Sequence, residues 1–381
     1  MSGFIISLGL INKKLYFPII YIIIKIITNI CWIYVDYNLV SLYISTIGIS
    51  AGQISSFLVS KLMKYQKISP KKKEKVNKQY IKDYLFLFLI LFAYNVTNIA
   101  HVYFGYDEEK PENSYTELYI NDAIDIIFIT LATHFILKYK YYIHHMLSIA
   151  LFVVLSSIID LLVGNFKKLN LITVLFTFFY VLTESLLYSY IKYLNANKYY
   201  FFMNILLFTG IFNFVFFSLS FLSNIIINIK NGDNEMIFEF YFFLRDFGLW
   251  KIIFLFAFSF ILDGFASGII EYATIKELTP NYAIIGYELS KIPFTIKDNE
   301  GVNRWIILVI SIFQIISLLF YLEILEYNFC SLNKNTKKNI MDREKNETFD
   351  DNNSDNEIVI KGYDISENIY KEEKMMEMPN I

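Results

Sequence analysis

The sequence predicts an all-α, polytopic membrane protein of about ten transmembrane helices arranged as a five-plus-five inverted repeat. Three observations predict this. Of the 381 residues, 55% are hydrophobic and only 18% are charged, and mean hydropathy is +0.43, whereas soluble domains carry about a quarter charged residues. A surface built from such a chain is too poor in polar side chains for water, so lipid is its natural solvent. Apolar runs of about 20 residues, enough for a helix to cross a hydrocarbon core of about 30 Å, recur along most of the chain. Finally, two similar helix–loop–helix stretches lie five spans apart. The alternative membrane architecture, a barrel, would alternate apolar and polar residues in segments of about 10, and no such alternation is present.

The expected spans, in order, are 16–35, 38–59, 84–104, 118–137, 146–164, 171–193, 200–228, 249–273, 279–296 and 303–326. The seventh is long enough to tilt or to end in a short interfacial helix. The ninth is the weakest, because Glu288 and Lys291 interrupt it. Phe238 to Phe247, with Arg245 and Asp246, reads as an interfacial segment before the eighth. Lys13 and Lys14 precede a run long enough to span and stay, so no cleaved leader is expected.

Loop charge orients the spans, because Lys and Arg accumulate on the cytoplasmic side. The 2–3 loop carries a lysine run from Lys61 to Lys82, the 4–5 loop carries Lys138, Lys140, His144 and His145, and the 6–7 loop carries Lys192 and Lys198. The 3–4 loop is acidic (Asp107, Glu108, Glu109, Glu112, Glu117), as is the 7–8 loop (Asp233, Glu235). Both termini are therefore expected in the cytoplasm, with Lys167 and Lys168 as an exception on the far side. The transmembrane, transporter-like domain covers residues 1–329. Residues 330–381 are rich in Asn, Asp, Glu and Lys and read as a disordered cytoplasmic tail that cannot bury enough surface to fold. The two cysteines, Cys31 and Cys330, are too few for a disulfide scaffold and are expected as buried or interfacial thiols.

Two stretches share an organisation. In the first, Leu118 to Leu137 leads through a polar turn, Lys138 to His145, into Met146 to Gly164. In the second, Thr279-Pro-Asn-Tyr-Ala-Ile-Ile-Gly-Tyr-Glu-Leu-Ser-Lys-Ile-Pro293 leads through Lys297 to Arg304 into Trp305 to Leu325. Because they are an odd number of spans apart, they would sit in opposite orientations, which is the inverted-repeat plan of many secondary transporters. Thr279 suits an N-cap and Pro280 the first helical position. On these stretches, and on Tyr272 to Gly286 entering helix nine, the chain resembles the drug/metabolite transporter superfamily, which includes EamA-like exporters and nucleotide-sugar transporters. The resemblance covers about residues 15–326 by topology and implies ten helices, two inverted halves and a transport function. It departs from the family at the ends of helices four and nine: Leu137-Lys138 lacks the glycine-glutamate pair common there, and Glu288 lacks a preceding glycine.

Ionisable groups inside a bilayer cost about 2.5–3.5 kcal/mol each at its centre on insertion scales, so they point to a pathway. The candidate substrate-binding residues are Asp263 in span eight, Glu184 in span six, Asn95 and Asn98 three apart on one face of span three, and Asp125 in span four. Asp160 in span five is a weaker candidate, and Asp122 reads as interfacial. The bland reading of each is an interhelical hydrogen bond, which averages about 0.6 kcal/mol in membrane proteins. Gly264 and Gly268 form a small-xxx-small pair suited to close packing, and Glu271, on the same α-helical stripe, is expected near the surface and solvated. His144 and His145 read as a basic interfacial turn rather than a metal site, while His101 and His134 are candidate proton relays or interfacial groups. The lysine run is read as a topological anchor, with anionic lipid as the alternative.

The functional expectation is a secondary transporter for a small polar metabolite working by alternating access, with proton coupling through buried carboxylates. It is not an enzyme, has no cofactor, metal or nucleic-acid partner, and has the bilayer and an unidentified small molecule as its partners. The plasma membrane or an endomembrane of the ER or Golgi would house it. The alternatives are an integral membrane enzyme acting on lipid, and a membrane receptor or scaffold.

Overall fold

A computed structural model describes residues 6–8, 16–32, 39–62, 78–105, 120–139, 141–163, 171–231, 245, 250, 252–298, 302–321 and 325–327. Among these residues the chain forms ten helices. They are α1 (Tyr16–Trp32), α2 (Leu39–Leu62), α3 (Lys78–Gly105), α4 (Ile120–Leu137), α5 (Ile143–Val163), α6 (Leu171–Asn197), α7 (Phe202–Asn231), α8 (Ile252–Glu277), α9 (Pro280–Asp298) and α10 (Val302–Tyr321). Two three-residue strands, β1 (Ile6–Leu8) and β2 (Leu325–Tyr327), pair antiparallel with Ser7 opposite Glu326. Each helix falls on one of the expected apolar segments. Five segments are long and apolar enough to cross a membrane, namely Tyr80–His101, Val174–Asn197, Phe202–Ile227, Ile252–Glu277 and Arg304–Tyr321. Shorter apolar helices run over Tyr16–Asn29, Ile124–Leu137 and Ile143–Ile159. This is the helix content of an integral membrane protein. The tail with Cys330, the interfacial segment around Phe238, most of the 61–82 lysine run and the side chain of Cys31 lie outside what is described.

The outer surface is apolar, with Leu85, Leu89, Leu219, Ile226 and Phe313 among its exposed residues, as lipid contact requires. Trp250 and Trp305 stand 82% and 70% exposed near the starts of α8 and α10, where amphipathic rings suit a headgroup boundary. Among the described residues two large apolar clusters, and a smaller one around Tyr43 and Phe217, pack the interior. Leu87, Leu91, Ile191, Leu194, Ile205, Leu206 and Ile275 join α3, α6, α7 and α8. Ile126, Ile129, Ile149, Phe152, Ile284, Ile285 and Leu318 join α4, α5, α9 and α10. Lipid tails are as apolar as Leu, so contact geometry decides which helices associate. The tightest crossing is α2 on α8: a Cβ on Gly264 would overlap the Ile49 carbonyl oxygen and stand 2.9 Å from the Gly52 Cα. The expected role of Gly264 in close packing is thus realised, against a glycine of a second helix.

The helices alternate in direction. The start of α3 meets the α6–α7 connection, where Tyr200 donates to Asp83 Oδ2 at 2.8 Å. The end of α6 meets the end of α8 through Lys192 Nζ and the Lys276 carbonyl. The α4–α5 connection meets the start of α9, where Tyr141 donates to Asn281 Oδ1 at 3.0 Å. All these ends lie at one pole of the bundle. There Asn281 donates to Thr130 (3.0 Å) and accepts from Thr133 (3.1 Å), so its amide knits α4 and the following connection to α9. Burial among neutral groups pushes the Tyr141 phenol up to about 12.

Candidate functional site

Asp263 lies in the middle of α8, and the backbone around it is not α-helical. Ser259–Ser267 form a π-helix. At its end the Gly268 N–H reaches the Asp263 carbonyl, five residues back. Such segments widen a helix turn and recur at functional sites. The widening matters for direction. Eight residues of straight α-helix would leave Glu271 about 80° round from Asp263. The wider turn takes up that difference, and Asp263, Ser267 and Glu271 follow one another along one side of α8. Gly264 keeps to the α2 side, with Ile49 and Gly52.

The Asp263 side chain is 5% exposed and is bound by Lys25 of α1, whose ammonium lies 2.8 Å from Oδ1 and is itself 16% exposed. The same ammonium stands over the rings of Tyr21 and Tyr287, 5.9 and 5.7 Å from their centroids. Glu271 is not a solvated surface acid, as its expected stripe implied. It is half-buried and accepts from Tyr21 at 3.5 Å and from Tyr188 of α6. The π segment turned it inward, which α-helical counting could not anticipate. Glu184, half-buried at mid-α6, lies within electrostatic reach of Lys25, Tyr21, Tyr94 and Tyr188. A polar and aromatic ladder continues between α3 and α6. Tyr94 stacks on Tyr180 (5.5 Å between centroids), His101 stacks on Tyr180 (5.3 Å), and His101 Nδ1 lies 2.9 Å from Thr177 Oγ1. Thr97 and Thr183 join one rung nearer, 3.0 Å apart.

Of the expected site residues, Asp263 and Glu184 are thus brought to a common neighbourhood. Asn95 is fully buried but faces α7, where its amide donates to Asn213 Oδ1 at 2.8 Å. Asn98 is half-buried on α3, and Asp125 is buried on α4. The side chains of Asp122, Asp160 and Glu288 lie outside the described residues. His144 and His145 lie in the first turn of α5, at the pole, and are buried there, His144 stacked on Tyr142 and His145 edge-on to Tyr321. His134 is exposed and bonds the Tyr139 carbonyl. Among the described residues no three His, Cys, Asp or Glu side chains gather as a metal site would need.

Sequence reasoning missed Lys25. A lone lysine at the centre of an apolar span was the signal, and the rule applied to Asp263 and Glu184 covers it equally. No protein-family model matches the chain, and no curated protein matches it.

Proposed function

We propose that the protein is a secondary transporter carrying a small polar metabolite across a membrane by alternating access. Its ten helices would all be spans, built as two inverted five-helix halves like those of drug/metabolite transporters. The observation that carries the reading is the Lys25–Asp263 pair with its neighbours at mid-bundle. It costs free energy to hold such charges in a membrane, and here they come from both halves. Lys25, Tyr21 and Tyr94 come from α1 and α3, and Glu184, Asp263, Glu271 and Tyr287 from α6, α8 and α9. A site shared between halves is what rocking one half against the other requires.

The packing pattern supports the two halves. Adding or subtracting five turns the contact of α3 with α6 into α8 with α1, that of α4 with α6 into α9 with α1, and that of α4 with α5 into α9 with α10. The contacts α2–α7, α4–α9 and α5–α10 map onto themselves, and all these pairs touch. The tight α2–α8 crossing departs from the symmetry, since α3 and α7 pack more loosely. So do the contacts of α8 with α6, α7 and α9, which have no such close counterparts at α3 among the described residues. The pole holding the 4–5 and 6–7 connections is the lysine-bearing one, which supports placing it, and both termini, in the cytoplasm.

Coupling to a proton follows the same groups. Among the described residues, Lys25 and Tyr21 of α1 and Tyr188 of α6 face Asp263 and Glu271, and Glu184 of α6 and Tyr287 of α9 lie behind them against Lys25 and Tyr21. The reading is tested in proteoliposomes offered a metabolite mixture with and without a pH gradient. Asp263→Asn and Glu184→Gln are each expected to cut uptake at least tenfold at unchanged expression. Full uptake by both variants would refute the assigned pathway.

A further inference from the structure

Among the described side chains the cluster at mid-bundle is unevenly composed: Lys25 supplies one amine, and Asp263, Glu271 and Glu184 supply three carboxyl groups. Lys25 is bonded to Asp263. Glu271 accepts from the phenols of Tyr21 and Tyr188 and feels the Lys25 ammonium only through space, without a bond to it. The walls are tyrosine rings from α1, α3, α6 and α9, whose faces attract cations. The site already holds one alkylammonium between such rings, since the Lys25 amine stands 5.9 Å from Tyr21 and 5.7 Å from Tyr287.

A second observation points to an absent ligand. Ser267 lies one turn after Asp263 and one turn before Glu271, on the same side of α8. It is fully buried, and its Oγ has no hydrogen-bond partner. Buried hydroxyls are nearly always satisfied, and one that is not asks for a missing polar group. A hydroxyl flanked by two carboxylates can accept from the N–H of an ammonium that the carboxylates neutralise. An anionic ligand would meet those carboxylates at close range, while a neutral sugar would leave their charge unbalanced.

We propose that this site binds a small organic cation, a protonated amine or alkylammonium, with Glu271 as its main counter-charge, Glu184 as a second, and the tyrosine rings as its walls. Lys25 is then the built-in occupant of the neighbouring position, neutralising Asp263 so that the arriving cation is directed to Glu271. The inference rests on the transporter reading for its purpose, but binding is measured separately from transport.

The full chain is reconstituted in lipid nanodiscs and titrated with radiolabelled tetramethylammonium and with radiolabelled butylammonium, using lactate and sucrose as controls. Saturable binding of at least one cation is expected, with no binding of lactate or sucrose. Glu271→Gln preserves the shape of the side chain and one accepting oxygen while removing its charge, and is expected to weaken cation binding at least tenfold. Tyr287→Leu removes a wall without touching a carboxylate and is expected to weaken it several-fold, so the proposal is still tested should Glu271→Gln fail to fold. Ser157→Ala, on the exposed side of α5, leaves binding unchanged. The same cations are then offered to proteoliposomes. Binding with uptake supports both readings. Binding without uptake leaves the cation site standing and overturns the transporter. Failure of both cations to bind, unchanged binding in Glu271→Gln and Tyr287→Leu, or uptake of lactate or sucrose alone overturns the cation site, and any of these accompanied by uptake leaves transport intact.

Discussion

The middle of α8 and the start of α9 both tie several helices together through buried polar groups, but they solve different electrostatic problems. Around Asn281 every partner is neutral: Thr130, Thr133 and Tyr141 meet one amide, and the amide has enough donors and acceptors to satisfy them. Around Asp263 the groups are ionisable, among the described side chains three carboxyl groups face one amine, and Ser267 keeps an unmet oxygen. A neutral node closes on itself and serves packing. A charged node in lipid is costly even when paired, so its retention argues for use. The difference teaches that burial and hydrogen bonding alone do not distinguish a latch from a site; the charge balance does.

Four substitutions test that contrast. The largest effect is expected from Lys25→Met, which leaves Asp263 buried beside no ammonium and costs about 3–5 kcal/mol, the usual price of breaking a buried pair. The double variant Lys25→Met/Asp263→Leu should recover most of the loss in denaturant unfolding. If it is no more stable than the single variant, the pair is not the unit described here. Next, Gly264→Val drives methyl groups into the Ile49 carbonyl and Gly52. Overpacking of this kind costs about 1–3 kcal/mol, and a melting temperature equal to that of the native chain would show that α2 and α8 do not cross so closely. Asn281→Ala removes one bond each from Thr130, Thr133 and Tyr141, while Thr130 keeps the Ile126 carbonyl and Tyr141 keeps Thr133 and Tyr321, and is expected to lose about 2 kcal/mol while leaving ligand binding at mid-bundle unchanged. An equal loss of binding would erase the distinction between the two nodes.

The smallest effect belongs to Tyr141→Phe, at about 1 kcal/mol at neutral pH. Its sign with pH is set by burial, which raises the phenol from 10.0 to about 12. A group whose folded value exceeds its unfolded one contributes fully below the unfolded value and loses that contribution as pH rises through the folded one. Stability should therefore decline between about pH 10 and 12, and the decline should be shallower in Tyr141→Phe. Parallel curves for the two chains would remove Tyr141 from the account.

Much of the helix layout was legible because it is local. The expected third span, 84–104, became the helix Lys78–Gly105. The added turn was missed because it is polar and is held by Asp83, which accepts from Tyr200 and whose carbonyl accepts from Tyr190. Pro280 opens α9 where Thr279-Pro280 suggested it would. The site was only half legible. Asp263 and Glu184 stand out in any apolar run, but nothing along the chain pairs Asp263 with Lys25, 238 positions away. Asn95 and Asn98 share a face on paper, yet Asn95 spends its amide on Asn213 of α7, because which neighbour a helix face meets is not a local property.

By itself, then, the sequence determined the solvent, the helices and their approximate ends. Those follow from the apolar length needed to cross lipid and from backbone groups that can be satisfied only within a helix there. Only the tertiary structure decided which polar groups meet. The π segment of α8 is the clearest case: an apolar run carries no mark of a widened turn, yet that turn swings Glu271 inward, onto Tyr21 and Tyr188 and within electrostatic reach of Lys25 and Asp263.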